Sequence, residues 1–344
     1  MALLLVLLGT PGCDSAQGPD VSSLVDHHVH LLSPQLVKDW KALGANFSRP
    51  DSAYTSVVTL LGPPDSTSPP RPGMLGGAVL VPMAHAYSRD DFRGPLRLTL
   101  ATEQQAVRRE NDYVAAEAAR YPGRAIALCG VDFLRPYAWN EIQRCRRELG
   151  SAGIKLHLGS AGTDLRNAGH LAALRRIAEL AEAERLILLI HFDPQSDRAA
   201  VADVDRFIEV VLQPFPELTV VIAHLGGSGS YGPWTRAILG AFYAWLKVED
   251  TAGRPRTGVF FDISAAWLAR DSEGLPRTSG QEIEALSEDL VRYGTSRLLF
   301  GSDYPVFDPK GYAPGFRRVT GISPEAWDTL VHNRVPGFPA SPSR

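Results

Sequence analysis

The sequence predicts an α/β protein, a closed (β/α)8 TIM barrel forming a single domain with an insertion after its first strand. Three observations carry that expectation. Short apolar runs rich in β-branched residues recur along the chain, and amphipathic helical segments separate them. Alternation of this kind means parallel strands joined by right-handed crossovers. At 344 residues the chain suits one such barrel with added loops. An open doubly wound sheet is the alternative, but no Gly-x-Gly-x-x-Gly follows the first strand.

The expected strands are Leu24–Leu31, Gly77–Met83, Ala125–Val131, Gly153–Leu158, Leu186–Phe192, Leu218–Leu225, Gly258–Ile263 and Arg297–Gly301. Helical patterns cover Thr102–Tyr121, Tyr137–Leu149, Ala168–Glu184, Ala199–Leu212, Pro233–Val248, Gln281–Tyr293 and Pro324–His332. Between the first two strands, Ser33 to Met74 is too long for a tight connection and carries the Pro/Ser/Gly-rich stretch LGPPDSTSPPRPG. It leaves the C-terminal end of a strand, so it is expected at the active-site face as a lid or binding loop, or else as a surface insertion.

Charged residues make up 21% of the chain and the net charge is −3, with no basic stripe. That pattern excludes a nucleic-acid partner and leaves a small molecule as the expected substrate. Residues 1–20 form an expected signal or lipoprotein segment and tether, and 21–344 the barrel. The apolar opening MALLLVLLGTPG is too short to span a bilayer and ends at Cys13 after a small Gly12. Export with a lipid anchor at Cys13 is the expectation; a mis-called start, with a cytoplasmic protein, is the alternative. Cys129 lies in an apolar run and is expected to be a buried thiol, and Cys145 lies in a charged helix. A bridge between them is compatible with export but has no independent sign in the sequence. No Cys-x-x-Cys spacing supports a thiolate metal site.

Nine histidines occur in the chain, and three of them fall in VDHHVHLL, residues 25–32. Strict alternation along a strand puts Asp26, His28 and His30 on one face and His27 on the other. Two imidazoles at i and i+2 can share one cation. Other strands also end in polar residues: Lys155 and His157 in GIKLHLG, His191 in LILLIHFDP, His224 in LTVVIAHLGG, Asp262 in GVFFDIS and Asp303 in RLLFGSDYP. Polar groups after apolar strand cores are costly without partners, and the C-terminal end of a barrel is where they would meet. Asp262 is expected as an ion-pair partner inside the barrel, Asp26 as an orienting group and His27 as packing. His85 is left open, while His170 and His332 read as ordinary structural histidines. Arg89, Arg93 and Arg135 follow strands two and three and are expected either to read a carboxylate or to stay solvated. No Gly-x-Ser-x-Gly elbow or reactive-cysteine signature points to a nucleophilic enzyme.

These residues resemble the amidohydrolase superfamily, in the amidohydrolase-related branch that includes aminocarboxymuconate-semialdehyde decarboxylase. The matching pieces are DHHVH, GIKLH, LLIHFD, VIAHLGG and LLFGSDYP, with ENDYVAAEAARYPGRAIALCGVD as the helix and third strand. The resemblance covers most of Leu24 to His332. It implies metal ligation by His28, His30, His191 and Asp303, with Asp303 also taking a proton and His224 acting as acid/base or second-metal ligand. Lys155 sits where some relatives bridge two metals, so Lys155 and His157 are substrate or second-metal candidates. The implied cofactor is a divalent ion, zinc first, one ion rather than two. The implied function is a metal-dependent hydrolase that uses water against an amide, ester or lactone carbonyl. A metal-dependent decarboxylase is the alternative, and a non-catalytic binding barrel ranks last.

Overall fold

The computed structural model describes residues 21–64, 73–193, 201–272 and 275–338. The expected signal segment and Cys13 lie outside these residues, as does most of the Pro-rich stretch of the insertion. Eight parallel strands form one sheet in sequential order: β1 (Val25–Leu31), β2 (Gly77–Pro82), β3 (Ala125–Gly130), β4 (Gly153–His157), β5 (Ile187–His191), β6 (Val220–Ile222), β7 (Val259–Asp262) and β8 (Leu298–Leu299). The seam between last and first strands is made largely by the chain just after β8. His27 N donates to Phe300 O at 2.9 Å, His30 N to Tyr304 O at 2.7 Å, and Asp303 N to His28 O at 3.0 Å. The fold is thus the expected (β/α)8 barrel.

Side-chain alternation sorts the apolar residues into two layers. Val79, Val81, Leu128, Ile187, Leu189, Val221 and Leu299 fill the barrel interior. Their strand neighbours, such as Leu80, Leu156, Ile190 and Phe261, pack outward against the helices. The helices are α1 (Pro34–Ala42), α2 (Ser52–Thr55), α3 (Val58–Leu61), α4 (Asp90–Arg93), α5 (Leu100–Ala119), α6 (Ala138–Glu148), α7 (Ala168–Ala183), α8 (Val201–Phe207), α9 (Pro233–Thr251), α10 (Gly280–Tyr293), α11 (Pro309–Thr320) and α12 (Pro324–His332). Their starts are locally encoded: Thr99 and Ser279 form capping boxes, and Ser33 and Ser323 cap helices that have Pro in the first turn. The α11 helix was not foreseen, because Gly311, Pro314 and Gly315 argue against a helix. Tertiary packing overrides them: a Cβ on Gly315 would lie 2.5 Å from the Trp267 ring, so glycine is what lets α11 close on the barrel.

Two expectations need correction. Cys129 is not a free thiol; it is disulfide-bonded to Cys145, tying the end of β3 to α6. Strict alternation also fails in β1. Its register against β2 slips by one residue between Asp26 and Val29. This bulge turns both His27 and His28 inward. His27 therefore faces Phe338, 6.0 Å away and packed on the inner cluster. Asp26 leaves the shared face and accepts from Ser302 N at 3.0 Å and Ser302 Oγ at 2.5 Å, which fastens the seam.

Candidate metal centre

The polar strand ends converge at the C-terminal mouth of the barrel. His28 and His30 enter from β1, Lys155 and His157 from β4, His191 from β5, and Asp262 from β7. His224 and Asp303 arrive differently. Alternation along β6 sends Ala223 inward, and His224 reaches the site only because it takes a left-handed backbone, φ 55°, followed by Leu225 at φ 56°. Asp303 is likewise left-handed, φ 62°. Such conformations cost about 1 kcal/mol or more in non-glycine residues and collect at functional sites. Gly301 matters for a related reason. A Cβ there would lie 3.1 Å from His28 Cβ and 3.2 Å from Ser264 Cβ, so glycine lets the turn approach this closely without crowding either.

The rear nitrogens of three imidazoles are fixed by hydrogen-bond acceptors. His28 Nδ1 lies 2.9 Å from Asp262 Oδ2, His30 Nδ1 3.3 Å from Val81 O, and His224 Nδ1 2.9 Å from Ser264 O. A carboxylate or carbonyl oxygen only accepts, so each Nδ1 holds the proton and each Nε2 presents a lone pair to the centre. Those lone pairs meet other acceptors. His30 Nε2 is 3.2 Å from Asp303 Oδ1, and His28 Nε2 is 3.7 Å from the same oxygen. His224 Nε2, by contrast, accepts from His191 Nδ1 at 3.2 Å. Donor atoms of His28, His224 and Asp303 all lie within 4.8 Å of one another. This crowding of lone pairs is stable only with a proton or a cation among them, and the nitrogen and oxygen set fits a divalent metal.

The charges agree with that reading. Burial pushes Asp303 up, but the adjacent His30 ring and the neighbouring histidines more than offset it, so the carboxyl is held well below the usual range. Asp262 is likewise ionised, because contacts with His28, His224 and Ser264 outweigh its burial. Burial, then the charge of Lys155, pushes His28 down to about 3, so a neutral ring donates to an ionised Asp262. His191 is pushed well below 6.5, first by burial and then by His157. Lys155 is wholly buried and pulled down to about 8 by burial, against the attraction of Asp262 and Asp303. Its Nζ donates to His28 Nε2 at 3.3 Å.

The site opens into a cavity of about 900 Å³. Its floor is His30, Lys155, His157, His191, His224 and Asp303, and one wall is Trp40, Phe47 and Tyr54 from the insertion. The insertion therefore shapes the cavity. The rim arginines are paired: Arg93 and Arg135 reach the buried Glu103 at 2.9 and 2.6 Å, and Arg89 reaches Asp91 at 2.5 Å. His170 Nδ1 accepts from Asp164 N and His332 pairs with Asp328, both away from the cavity. His85 was left open by the sequence; it lines the cavity with its ring 5.1 Å from that of His157. Ser264 was missed. Its hydroxyl touches Asp262, His28 and His224 together, and its place two residues after Asp262 was the only signal.

The sequence model of the amidohydrolase family matches residues 25–329. No curated protein matches the sequence. Similar folds among solved structures include 2,6-dihydroxybenzoate decarboxylase from Rhizobium, with 16% identity, TM-score 0.54, and 90% of this chain and 95% of that chain covered. The 5-carboxyvanillate decarboxylase from Sphingomonas paucimobilis has 16% identity and TM-score 0.53, covering 90% and 96%. An amidohydrolase from Burkholderia multivorans with bound zinc has 16% identity and TM-score 0.50, covering 92% and 96%.

Proposed function

The chain belongs to the amidohydrolase family, it is an enzyme, and from that premise we propose that it is a metal-dependent decarboxylase of a small aromatic carboxylic acid. The observation that carries this reading is the cavity floor. A buried Lys155 lies beside the converging lone pairs of His28, His30 and Asp303, in a cavity that Trp40 and Phe47 also line. A cation beside a metal-ligand set suits a carboxylate, and an aromatic wall suits a ring. Two proteins of similar fold are decarboxylases of aromatic acids, which supports the reaction type.

His28, His30, His191 and Asp303 would hold one divalent ion, zinc by analogy with the relative that contains it. The bound ion would supply Lewis acidity toward the substrate's oxygens. Asp262 fixes the tautomer of His28, and Ser264 that of His224. Lys155 stays unmodified: with His28 Nε2 given to the ion, its ammonium, 3.3 Å from that nitrogen, is left to pair with the substrate carboxylate. The carbon–carbon bond to that carboxylate breaks, carbon dioxide leaves, and the ring carbon takes a proton in its place. Asp303 and His224 are the groups placed to pass this proton from water. Hydrolysis is the second reading, favoured by one observation: an ionised Asp303 is ready to accept a proton from water.

Metal-loaded protein assayed on a panel of hydroxylated benzoates is expected to release carbon dioxide. Turnover of a lactone, amide or ester, with no carbon dioxide from any aromatic acid, would replace decarboxylation by hydrolysis. Two metals per chain, or a carboxylated Lys155, would overturn the single-ion reading. We also propose export, which a Cys129–Cys145 bridge would suit, and a lipid anchor at Cys13, which rests on the sequence alone. Cys13→Ser is then expected to leave the membrane fraction; wild-type protein recovered soluble from the cytoplasm with Met1 intact would reject export.

A further inference from the structure

One cavity histidine has its rear contact reversed. His157 Nδ1 accepts the backbone N–H of Ser160 at 3.2 Å. An amide N–H only donates, so Nδ1 holds a lone pair and the neutral ring carries its proton on Nε2. In that tautomer Nε2 is a hydrogen-bond donor and is not free to ligate a cation. Among the described residues Nε2 has no partner, and His157 lines the cavity. The ring is held firmly, stacked on His191 with centroids 3.9 Å apart and planes 10° from parallel. Its neighbour His85 is 3% exposed, lines the same cavity, and has a buried Nδ1 without a partner. A buried polar nitrogen such as His85 Nδ1 is normally paired, so this corner has room for a polar group that the described residues do not supply.

We propose that His157 sets substrate specificity: its Nε2–H donates to a second oxygen of the substrate, a hydroxyl, phenolate or carbonyl, with His85 completing the subsite. The inference rests on the aromatic-acid reading and adds a position to it. His157 lies two residues beyond Lys155 on β4, toward the mouth of the barrel. Two residues of a parallel strand span ~6.6 Å. With Lys155 holding the carboxylate and His157 set nearer the mouth, the proposal places the second oxygen across the ring, meta or para, rather than on the adjacent ortho carbon.

The test uses the zinc-loaded full chain and four probes: benzoate and its 2-, 3- and 4-hydroxy derivatives. The 3- or 4-hydroxy acid is expected to bind about tenfold more tightly than benzoate, the size of one well-made hydrogen bond. His157→Phe keeps an aromatic ring for stacking and is expected to lower that ratio to about one at wild-type zinc content. His157→Gln, which restores an N–H donor, is expected to recover part of the preference. Zinc loss in His157→Phe would make His157 a ligand and overturn the proposal, as would a preference that survives the substitution. Should no benzoate bind wild-type protein, the aromatic-acid reading fails, and nitrogen NMR of His157 decides the donor assignment separately. A proton on Nε2 supports it, and a proton on Nδ1 overturns it.

Discussion

The two sides of the barrel mouth use the same residue in opposite ways. On the side of β1 and β6 to β8, His28, His30 and His224 turn their Nδ1 atoms to acceptors: Asp262, the Val81 carbonyl and the Ser264 carbonyl. Their Nε2 atoms face inward as lone pairs. On the side of β2 and β4, His157 accepts at Nδ1 from an amide, and His85 has no partner there. In the proposed reading one side holds a cation and the other donates to a ligand. What a histidine does here is decided by the atom behind it, a few ångströms from the cavity.

The comparison breaks most completely if the first side does not hold metal. Replacing His28 and His30 together with alanine is expected to abolish metal retention and turnover while the barrel stays folded. Elemental analysis and circular dichroism check this, and full metal occupancy in the double variant would sink it. Asp303→Asn keeps the shape but loses the charge and the proton carrier. Proton transfer by a placed side chain is worth ~10²–10⁴-fold, so turnover is expected to fall within that range; near-wild-type turnover removes Asp303 from the chemistry.

Asp262→Asn sharpens the contrast, since Asp262 does not line the cavity and acts through the rear of His28, the backbone of His224 and Ser264. Loss of such an orienting partner typically weakens metal affinity ~10–100-fold. Competition with a chelator measures it, and unchanged affinity would mean that the rear contact does not set the tautomer.

A substitution outside both sides is the control. Glu110 is buried, with both oxygens on Ser33 N at 3.0 and 3.1 Å, and burial pushes it up to about 7. A carboxyl raised in the folded state binds its proton more tightly there than in the unfolded chain. Its native-state cost is therefore absent at low pH, grows between about 4.5 and 7, and is complete above that window. At pH 8 the cost is at most about 3 kcal/mol. Relative to wild type, Glu110→Gln is expected to gain several degrees in Tm between pH 4 and pH 8, with metal content unchanged. A Tm difference that does not vary with pH would show that Glu110 is already ionised without cost.

Much of this was legible in the chain. Apolar runs of β-branched residues make strands whatever surrounds them, and helix caps such as Thr99 and Ser279 are read from a few neighbouring residues. Eight such units in order leave little choice but a barrel, and a barrel brings strand ends together. His28, His30, His191 and Asp303 could therefore be placed at one mouth from their positions alone. Three features could not be placed this way. The bulge in β1 that turns His27 and His28 inward depends on register against β2. The left-handed turns at His224 and Asp303 are strained conformations that surrounding packing imposes on residues with no local preference for them. The Cys129–Cys145 bridge depends on how α6 lies over β3. The protonation pattern of the histidines belongs with these. The sequence determined which residues reach the mouth, because strand periodicity is local. Only the tertiary structure decided which nitrogen of each ring faces the cavity bare, because that is set by contacts with Asp262, Val81, Ser264 and Ser160, three of them far away in the chain.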